Sequence, residues 1–205
     1  MKFKQKEKGW VINSERPEEI HIYPEKYYTE EEIERYSRSG GINRTQRAIA
    51  YRIIQLLGMD KGEILDLGCG PGFTTEVYSE LGFNVIGLDK IEKMLDKARE
   101  KKLNVVQGDM TEISKLFKKN QFDAVVSASA LQWIKNKEDI EDVAKGAYKI
   151  LKKNGKLVIQ FYPKSQEEMM STAKIFKKAG FEGQLILDNP ENPMKRVIYI
   201  VMSKD

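Results

Sequence analysis

The stretch Ile64-Leu65-Asp66-Leu67-Gly68-Cys69-Gly70-Pro71-Gly72 limits what this chain can fold into more than any other. Its first four residues, apolar apart from one acid, read as a short buried strand, and glycines follow at 68, 70 and 72. Glycine there lets the backbone turn sharply at positive φ and leaves no Cβ between main chain and ligand. Residues 73–81 then read as a helix ending at Gly82. Strand, glycine turn and helix N-terminus together open a nucleotide-binding α/β unit. The spacing is Gly-x-Gly-x-Gly, unlike the Gly-x-Gly-x-x-Gly of dinucleotide enzymes, and no Lys-Ser or Lys-Thr follows as in a P-loop. Asp89 closes the next apolar run about 20 residues on, where an acid would hold ribose hydroxyls.

The chain has 205 residues, 40% hydrophobic and 32% charged, which suits one globular domain with a proper core. A net charge of +4 permits an RNA partner without demanding one. One Cys and one His exclude a disulfide framework and a Cys/His zinc site within the chain. Cys69, with no His in the local sequence to activate it, reads as a small residue that fits the loop rather than a nucleophile, and His21 is given no role. The N-terminus carries no apolar signal-peptide core, and no apolar run reaches the ~20 residues of a membrane span. The expectation is a cytoplasmic protein with neither membrane nor DNA as partner.

In chain order, residues 1–14 read as a flexible basic arm, 15–60 as a helical cover and 61–205 as the core. Thr29 and Glu32 form a capping box that starts a helix, Ser39-Gly40-Gly41 breaks it, and a second helix spans 43–57 with Gly58 as its cap. Strands are expected at 63–67, 84–88, 104–107, 122–127, 156–162, 184–188 and 196–202. Helices between them, including 91–102 and 165–179, give the rhythm of an open, mostly parallel α/β sheet closed by an antiparallel pair. Strand 104–107 should lie at one sheet edge, with backbone groups free to pair with another chain.

The glycine loop and Asp89 resemble those of the class I S-adenosylmethionine-dependent methyltransferases. The resemblance implies a Rossmann-like fold: a seven-stranded, mostly parallel sheet with a C-terminal antiparallel strand and helices on both faces. It implies S-adenosyl-L-methionine as cofactor, S-adenosyl-L-homocysteine as product, and a loop that wraps the methionine part while Asp89 holds the ribose. Asp109, after strand 104–107, would reach the adenine amino group with Met110 against the ring, or would cap the next helix. The implied cofactor set is Tyr36, Asp66, Gly68, Cys69, Gly70, Gly72, Asp89, Lys90, Asp109, Met110 and Ser127.

A narrower resemblance runs over nearly the whole chain, to the small-subunit ribosomal RNA (guanine-N7) methyltransferases of ribosome assembly. It includes Arg16-Pro17-Glu18, Tyr27-Tyr28, Tyr36, Gln46, Gly87-Leu88-Asp89, Met94-Leu95-Asp96, Gly108-Asp109-Met110 and Phe122-Asp123. The more distinctive pieces are Ser129-Ala130-Leu131-Gln132-Trp133, Gln160-Phe161-Tyr162-Pro163 and Lys178-Ala179-Gly180-Phe181. Eukaryotic members carry a long basic C-terminal tail and a longer insertion after the Leu-Gln-Trp segment, so this chain looks like an archaeal relative. The resemblance implies ribosomal RNA in a pre-small-subunit particle as partner, and a small zinc-binding activator subunit shared among methyltransferases.

Other chemistries leave marks that are missing. Ser127-Ala128-Ser129-Ala130 stands where exocyclic-amine enzymes have Asn/Asp-Pro-Pro-Tyr/Phe, and no Cys lies near strands 122–127 or 156–162 for attack on a pyrimidine. Both absences favour an acceptor atom that owns a lone pair, as guanine N7 does. No catalytic residue is then needed beyond alignment. Trp133 or Tyr162 would stack the base, and Gln132 or Gln160 would bond O6 or the Watson–Crick edge; Trp133 reads equally well as a core anchor. Two other readings stay open: methylation of a small molecule, and a cofactor-binding assembly factor whose catalysis is dispensable.

Overall fold

The structure is a computed structural model that describes residues 16–21, 23–192 and 194–205, so the basic arm at 1–14 lies outside the described residues. The cover begins with two single turns, α1 (Pro17–Ile20) and α2 (Pro24–Tyr27), each opened by a proline whose missing N–H costs nothing at that position. In α3 (Glu30–Arg38) the Thr29 hydroxyl accepts from the Glu32 N–H at 3.3 Å. The Glu32 carboxylate does not return the bond; it takes the Tyr27 hydroxyl at 2.8 Å and the Arg35 guanidinium. Helix α4 (Gly40–Leu57) starts earlier than the sequence suggests. Ser39 alone separates the helices, its hydroxyl capping the Ile42 N–H, so both glycines occupy the first helical turn rather than a gap.

The core then runs β1 (Glu63–Leu67), α5 (Phe73–Glu80), β2 (Asn84–Asp89), α6 (Glu92–Glu100), β3 (Val105–Gln107), a 3₁₀ turn at Met110–Glu112 and α7 (Ile113–Leu116). It continues with β4 (Phe122–Ala128), a 3₁₀ turn at Leu131–Trp133, α8 (Lys137–Ile150), β5 (Leu151–Phe161), α9 (Gln166–Lys178), β6 (Glu182–Asp188) and β7 (Val197–Ser203). The sheet order is β3-β2-β1-β4-β5-β7-β6, with β7 antiparallel to both neighbours and β3 at an edge. The chain winds outward from β1 to β3 and then returns to β4 beside β1, so the connections part at the carboxyl ends of β1 and β4. One strand departs from its expected bounds. Phe122 pairs with Leu151 and Ala124 with Lys156, so β5 begins at Leu151 and residues 152–155 bulge out of it, with Asn154 at φ 60°. The strand ends at Phe161, which leaves Tyr162 beyond the ladder.

The sheet is covered on both faces. Ile49, Ile53 and Leu57 of α4 pack with Val77 and Tyr78 of α5 on one side, while α8 and α9 bring Val143, Ala147, Ile150, Met169 and Phe176 to the other. The inner strands are buried on both faces, hence the unbroken apolar runs in the sequence. Among the described residues no helix is long and apolar enough to cross a membrane.

Asp66 is the exception in β1, a carboxyl only 1% exposed. Its Oδ2 accepts the hydroxyls of Thr74 and Thr75 at 2.7 and 2.8 Å, which pins the first turn of α5 to the strand, while Oδ1 has no partner among the described residues. Burial pushes its pKa up to about 6 against the pull of the two hydroxyls. A carboxyl whose folded-state pKa exceeds its unfolded value of about 3.9 holds its proton more tightly when folded. It therefore favours the folded state at acid pH, and that advantage is lost as pH rises from about 4 through about 6. Asp66→Asn removes this term, so its stability relative to the parent should improve by on the order of 2–3 kcal/mol between pH 4 and pH 7. Urea denaturation of both proteins across that range tests it, and parallel pH profiles would show that Asp66 does not titrate as described.

Candidate functional site

The site grows from one backbone carbonyl. Leu88 O, at the end of β2, accepts the N–H groups of both Gly68 and Cys69, at 2.7 and 3.0 Å. The next residue, Asp89, receives the Gly70 N–H on Oδ2 at 2.8 Å and the Ile91 N–H on Oδ1 at 2.9 Å. The loop after β1 is thereby fastened to the loop after β2. Each Asp89 oxygen keeps lone-pair capacity, and the side chain lines an open cleft of about 890 Å³ counting its mouth, within the range of small-molecule sites. Burial raises the Asp89 pKa against the pull of the backbone N–H groups. A Cβ added to Gly70 would meet no protein atom within 4 Å, so the space beside that residue belongs to the cleft. Cys69 also reaches the cleft, but its sulfur packs under Gly87, where a Cβ would approach within 2.8 Å. Burial, with Asp89 and Asp66 nearby, holds that thiol protonated.

The far wall comes from the turn after β3. Asp109 accepts the Thr111 N–H and hydroxyl on Oδ1, both at 2.9 Å, and takes Lys90 Nζ on Oδ2 at 3.2 Å. It therefore caps the 3₁₀ turn and faces the cleft at once. Burial opposes its charge, but Thr111 and Lys90 outweigh that and keep its pKa below the usual carboxylate value. Lys90 also reaches Glu25 of the cover at 2.7 Å. Met110 adds apolar surface beside Gly68.

The cover supplies aromatic rings. Tyr28 lies 5.6 Å from Trp133 and 5.8 Å from Tyr36, and Tyr36 stacks on Phe73 at 6.0 Å, all four facing the cleft. Burial raises both tyrosine pKa values, that of Tyr36 to about 12. Gln46, another lining residue, donates from Nε2 to Ser129 Oγ at 3.2 Å.

Of the residues singled out from sequence, Tyr36, Gly68, Cys69, Gly70, Asp89, Lys90, Asp109, Met110 and Trp133 line the cleft. Six others stand outside its lining. Asp66 points behind the loop at α5. Gly72, at φ 82°, serves packing: a Cβ there would fall 2.4 Å from Leu103 and 3.2 Å from Ala98. Ser127 donates to Leu67 O at 2.9 Å and ties β4 to β1. Gln132 and Gln160 are turned onto Ser129, not onto open space. Tyr162 accepts Arg16 Nη1 on its carbonyl at 2.8 Å and carries the guanidinium 5.3 Å above its ring, so it anchors the start of the cover. Sequence reasoning missed Ser129, Tyr28 and Phe73 as lining residues. Tyr28 and Ser129 belong to quoted motifs, but nothing local marks which way either faces.

Comparison with known proteins agrees with this geometry. The methyltransferase domain family matches residues 65–159. An 18S rRNA (guanine(1575)-N(7))-methyltransferase of Saccharomyces cerevisiae is 35% identical over 201 residues, covering 92% of this chain and 72% of that protein. An 18S rRNA (guanine-N(7))-methyltransferase of Schizosaccharomyces pombe is 33% identical over 205 residues, covering 91% and 74%. A solved SAM-dependent methyltransferase of Archaeoglobus fulgidus shares the fold, with a TM-score of 0.64 at 20% identity over 79% of this chain and 94% of that one. The chain belongs to the class I S-adenosylmethionine-dependent methyltransferases, in the family of the 18S rRNA (guanine-N(7))-methyltransferases.

Proposed function

We propose that this methyltransferase acts on N7 of a guanine in small-subunit ribosomal RNA during ribosome assembly. The observation that carries the reading is that, among the described residues, the titratable groups lining the cleft are each hydrogen-bonded, ion-paired or kept protonated by burial. Asp89 and Asp109 are held by N–H donors and Lys90, and Tyr28, Tyr36 and Cys69 are kept protonated by burial. His21, packed 5.3 Å from Tyr27, is not part of the lining. Such a cleft suits an acceptor that needs no base, and guanine N7 carries an in-plane lone pair at neutral pH. The activity named for the two yeast relatives supports the same substrate.

The residues present fit S-adenosylmethionine. The gap beside Gly70 admits a ligand against the backbone, and Asp89 has lone pairs for two ribose hydroxyls. Met110 and Asp109 offer an apolar face with a carboxylate beside it for the adenine. Asp66, Gly72 and Ser127 act from behind, by fixing α5, the α6 contact and β4. The cofactor supplies a methyl group on a sulfonium, already electrophilic. What remains for the chain is alignment of the acceptor, which enzymes achieve by holding reacting atoms at near-attack distance. Trp133, in the ring wall with Tyr28, is the better placed stacking surface for a splayed-out base, and Tyr162 acts as the anchor of the cover.

A partner subunit has a place to bind. β3 is a three-residue edge strand whose Val105 and Val106 are half-buried, and among the described residues no strand pairs with its outer side. Strand addition there by the zinc-binding activator is the mode this edge supports.

Three outcomes are expected. Asp89→Ala should weaken S-adenosylmethionine binding about 100-fold or more, through loss of two charge-assisted hydrogen bonds; calorimetry on the folded variant that finds unchanged affinity removes Asp89 from the site. Borohydride and aniline treatment of product RNA should cleave at N7-methylguanine, with a rate nearly flat from about pH 6.5 to 8.5 because no enzyme group must lose a proton. A methyl on an amine, a ribose oxygen or a small molecule would overturn the reading. Co-expression with the activator from the same organism should give a stable heterodimer, and separate elution of the two at micromolar concentration would count against the β3 edge.

A further inference from the structure

Ser129 follows β4 directly and lines the cleft. Among the described residues five positions other than glycine have positive φ: Lys102, Asn120, Ser129, Asn154 and Asn189. Three of them are asparagines, which tolerate that conformation, and Ser129, at φ 58°, is the one that faces the cleft. A serine kept in the left-handed region at the carboxyl end of a central strand is strain stored where ligands bind.

Three glutamines hold it there. The Ser129 N–H donates to Gln160 O at 3.1 Å, and its carbonyl accepts Gln132 Nε2 at 2.9 Å. Its Oγ accepts Gln46 Nε2 at 3.2 Å and donates to Gln160 Oε1 at 2.8 Å. Gln160 is 0% exposed, and its Nε2 has no partner among the described residues. Half a turn of the Gln160 carboxamide exchanges its two ends at constant volume. Nε2 then donates to Ser129 Oγ, and the carbonyl takes the unpartnered place, where a missing partner is better tolerated than at an N–H. In that orientation Gln46 and Gln160 fill both lone pairs of the Ser129 hydroxyl, which is left with its proton to donate.

A donor-only hydroxyl distinguishes the purines. Guanine carries the acceptor O6 beside N7, whereas adenine carries the N6 amine, itself a donor, beside N7. We propose that Ser129 is the specificity-determining residue of this methyltransferase: held by Gln46 and Gln160, its hydroxyl donates to O6 of the base whose N7 receives the methyl. This assignment rests on the guanine-N7 reading of the reaction and names the group that selects the base. An analogue lacking O6 would leave the hydroxyl without an acceptor, the kind of loss that sites built on a substrate hydrogen bond discriminate against strongly.

The test pairs a protein change with a base change. Strand scission first locates the methylated guanine, and a synthetic RNA then carries guanine or 2-aminopurine there, the latter keeping N7 and lacking O6. The parent enzyme should show a kcat/KM about 30-fold or more lower on 2-aminopurine. Ser129→Gly, which relaxes the backbone strain, and Ser129→Ala should each lose about 10-fold or more on guanine and lose almost all preference for it over 2-aminopurine. S-adenosylmethionine affinity within about threefold of the parent confirms an intact cofactor site in each variant. If Ser129 served only to hold the loop, both variants would keep the preference for guanine over 2-aminopurine whatever their rate, and that result overturns the assignment alone. If the parent places no methyl on N7 of any guanine, the reading of the reaction falls, and this assignment with it.

Discussion

The carbonyl of Leu88 holds the site together. By accepting from both Gly68 and Cys69 it binds the loop after β1 to the end of β2, and Asp89 repeats the tie one residue later through the Gly70 N–H. Much of the unusual composition of this region follows. Gly87 has no side chain because the Cys69 sulfur occupies the space. Gly68, at φ 71°, has none because a Cβ would fall 2.3 Å from that of Ala130. Gly70 alone of the three loop glycines stands beside open space on its Cβ side. The motif is thus a packing solution with a cleft at its centre, and its residues divide between those that face a ligand and those that let the loop sit where it does.

What could be read from the sequence was what local pattern determines. Strands buried on both faces appear as apolar runs, and a glycine loop followed by a helix states its own geometry, so the sheet, its edge strand β3 and the residues at strand ends were legible. Local pattern failed where a distant partner decides. Glycines at 40 and 41 look like a break, but a single Ser39 cap lets the helix start on them, because first-turn N–H groups have no intrahelical partner to lose. The early start of β5 depends on Phe122 pairing with Leu151, and the fate of Tyr162 on Arg16, 146 residues away. Gln132 and Gln160 were recognised as polar groups near the chemistry, but only the fold shows that they stand behind Ser129, whose left-handed backbone no residue name announces.

The cover is joined to the core by a different kind of force. Ile33 is the one buried side chain of α3. Two of its other ties to the core are ion pairs at the rim: Lys97 with Glu34 at 2.9 Å, and Lys93 with Glu30. Lys90 ties Glu25 of α2 to the same rim, at 2.7 Å. Exposed pairs of this kind contribute about 0–1 kcal/mol each and weaken with salt. The sheet beneath is sealed by two apolar clusters. Beside Ile33, the ring contacts of Tyr28 with Trp133 and Tyr36 with Phe73 attach the cover to the core, and they are also cleft wall. The same surfaces that seat the cover are the ones a ligand would touch.

Two loops with two kinds of support face each other across the cleft. The loop after β1 is fixed by backbone hydrogen bonds to the Leu88 carbonyl, which substitution of side chains can hardly alter, and by the Asp89 carboxylate. The loop from Ala128 to Trp133 is fixed by the side chains of Gln46, Gln132 and Gln160 together with the Ser129 N–H bond to Gln160 O. They touch where Gly68 meets Ala130, a contact so close that no Cβ fits. Methyl transfer without a general base depends on the separation and angle between donor and acceptor, to which rates respond steeply over an ångström. The Gly68–Ala130 contact spaces the two loops, so the requirement for glycine at position 68 concerns the width of the cleft as well as the turn.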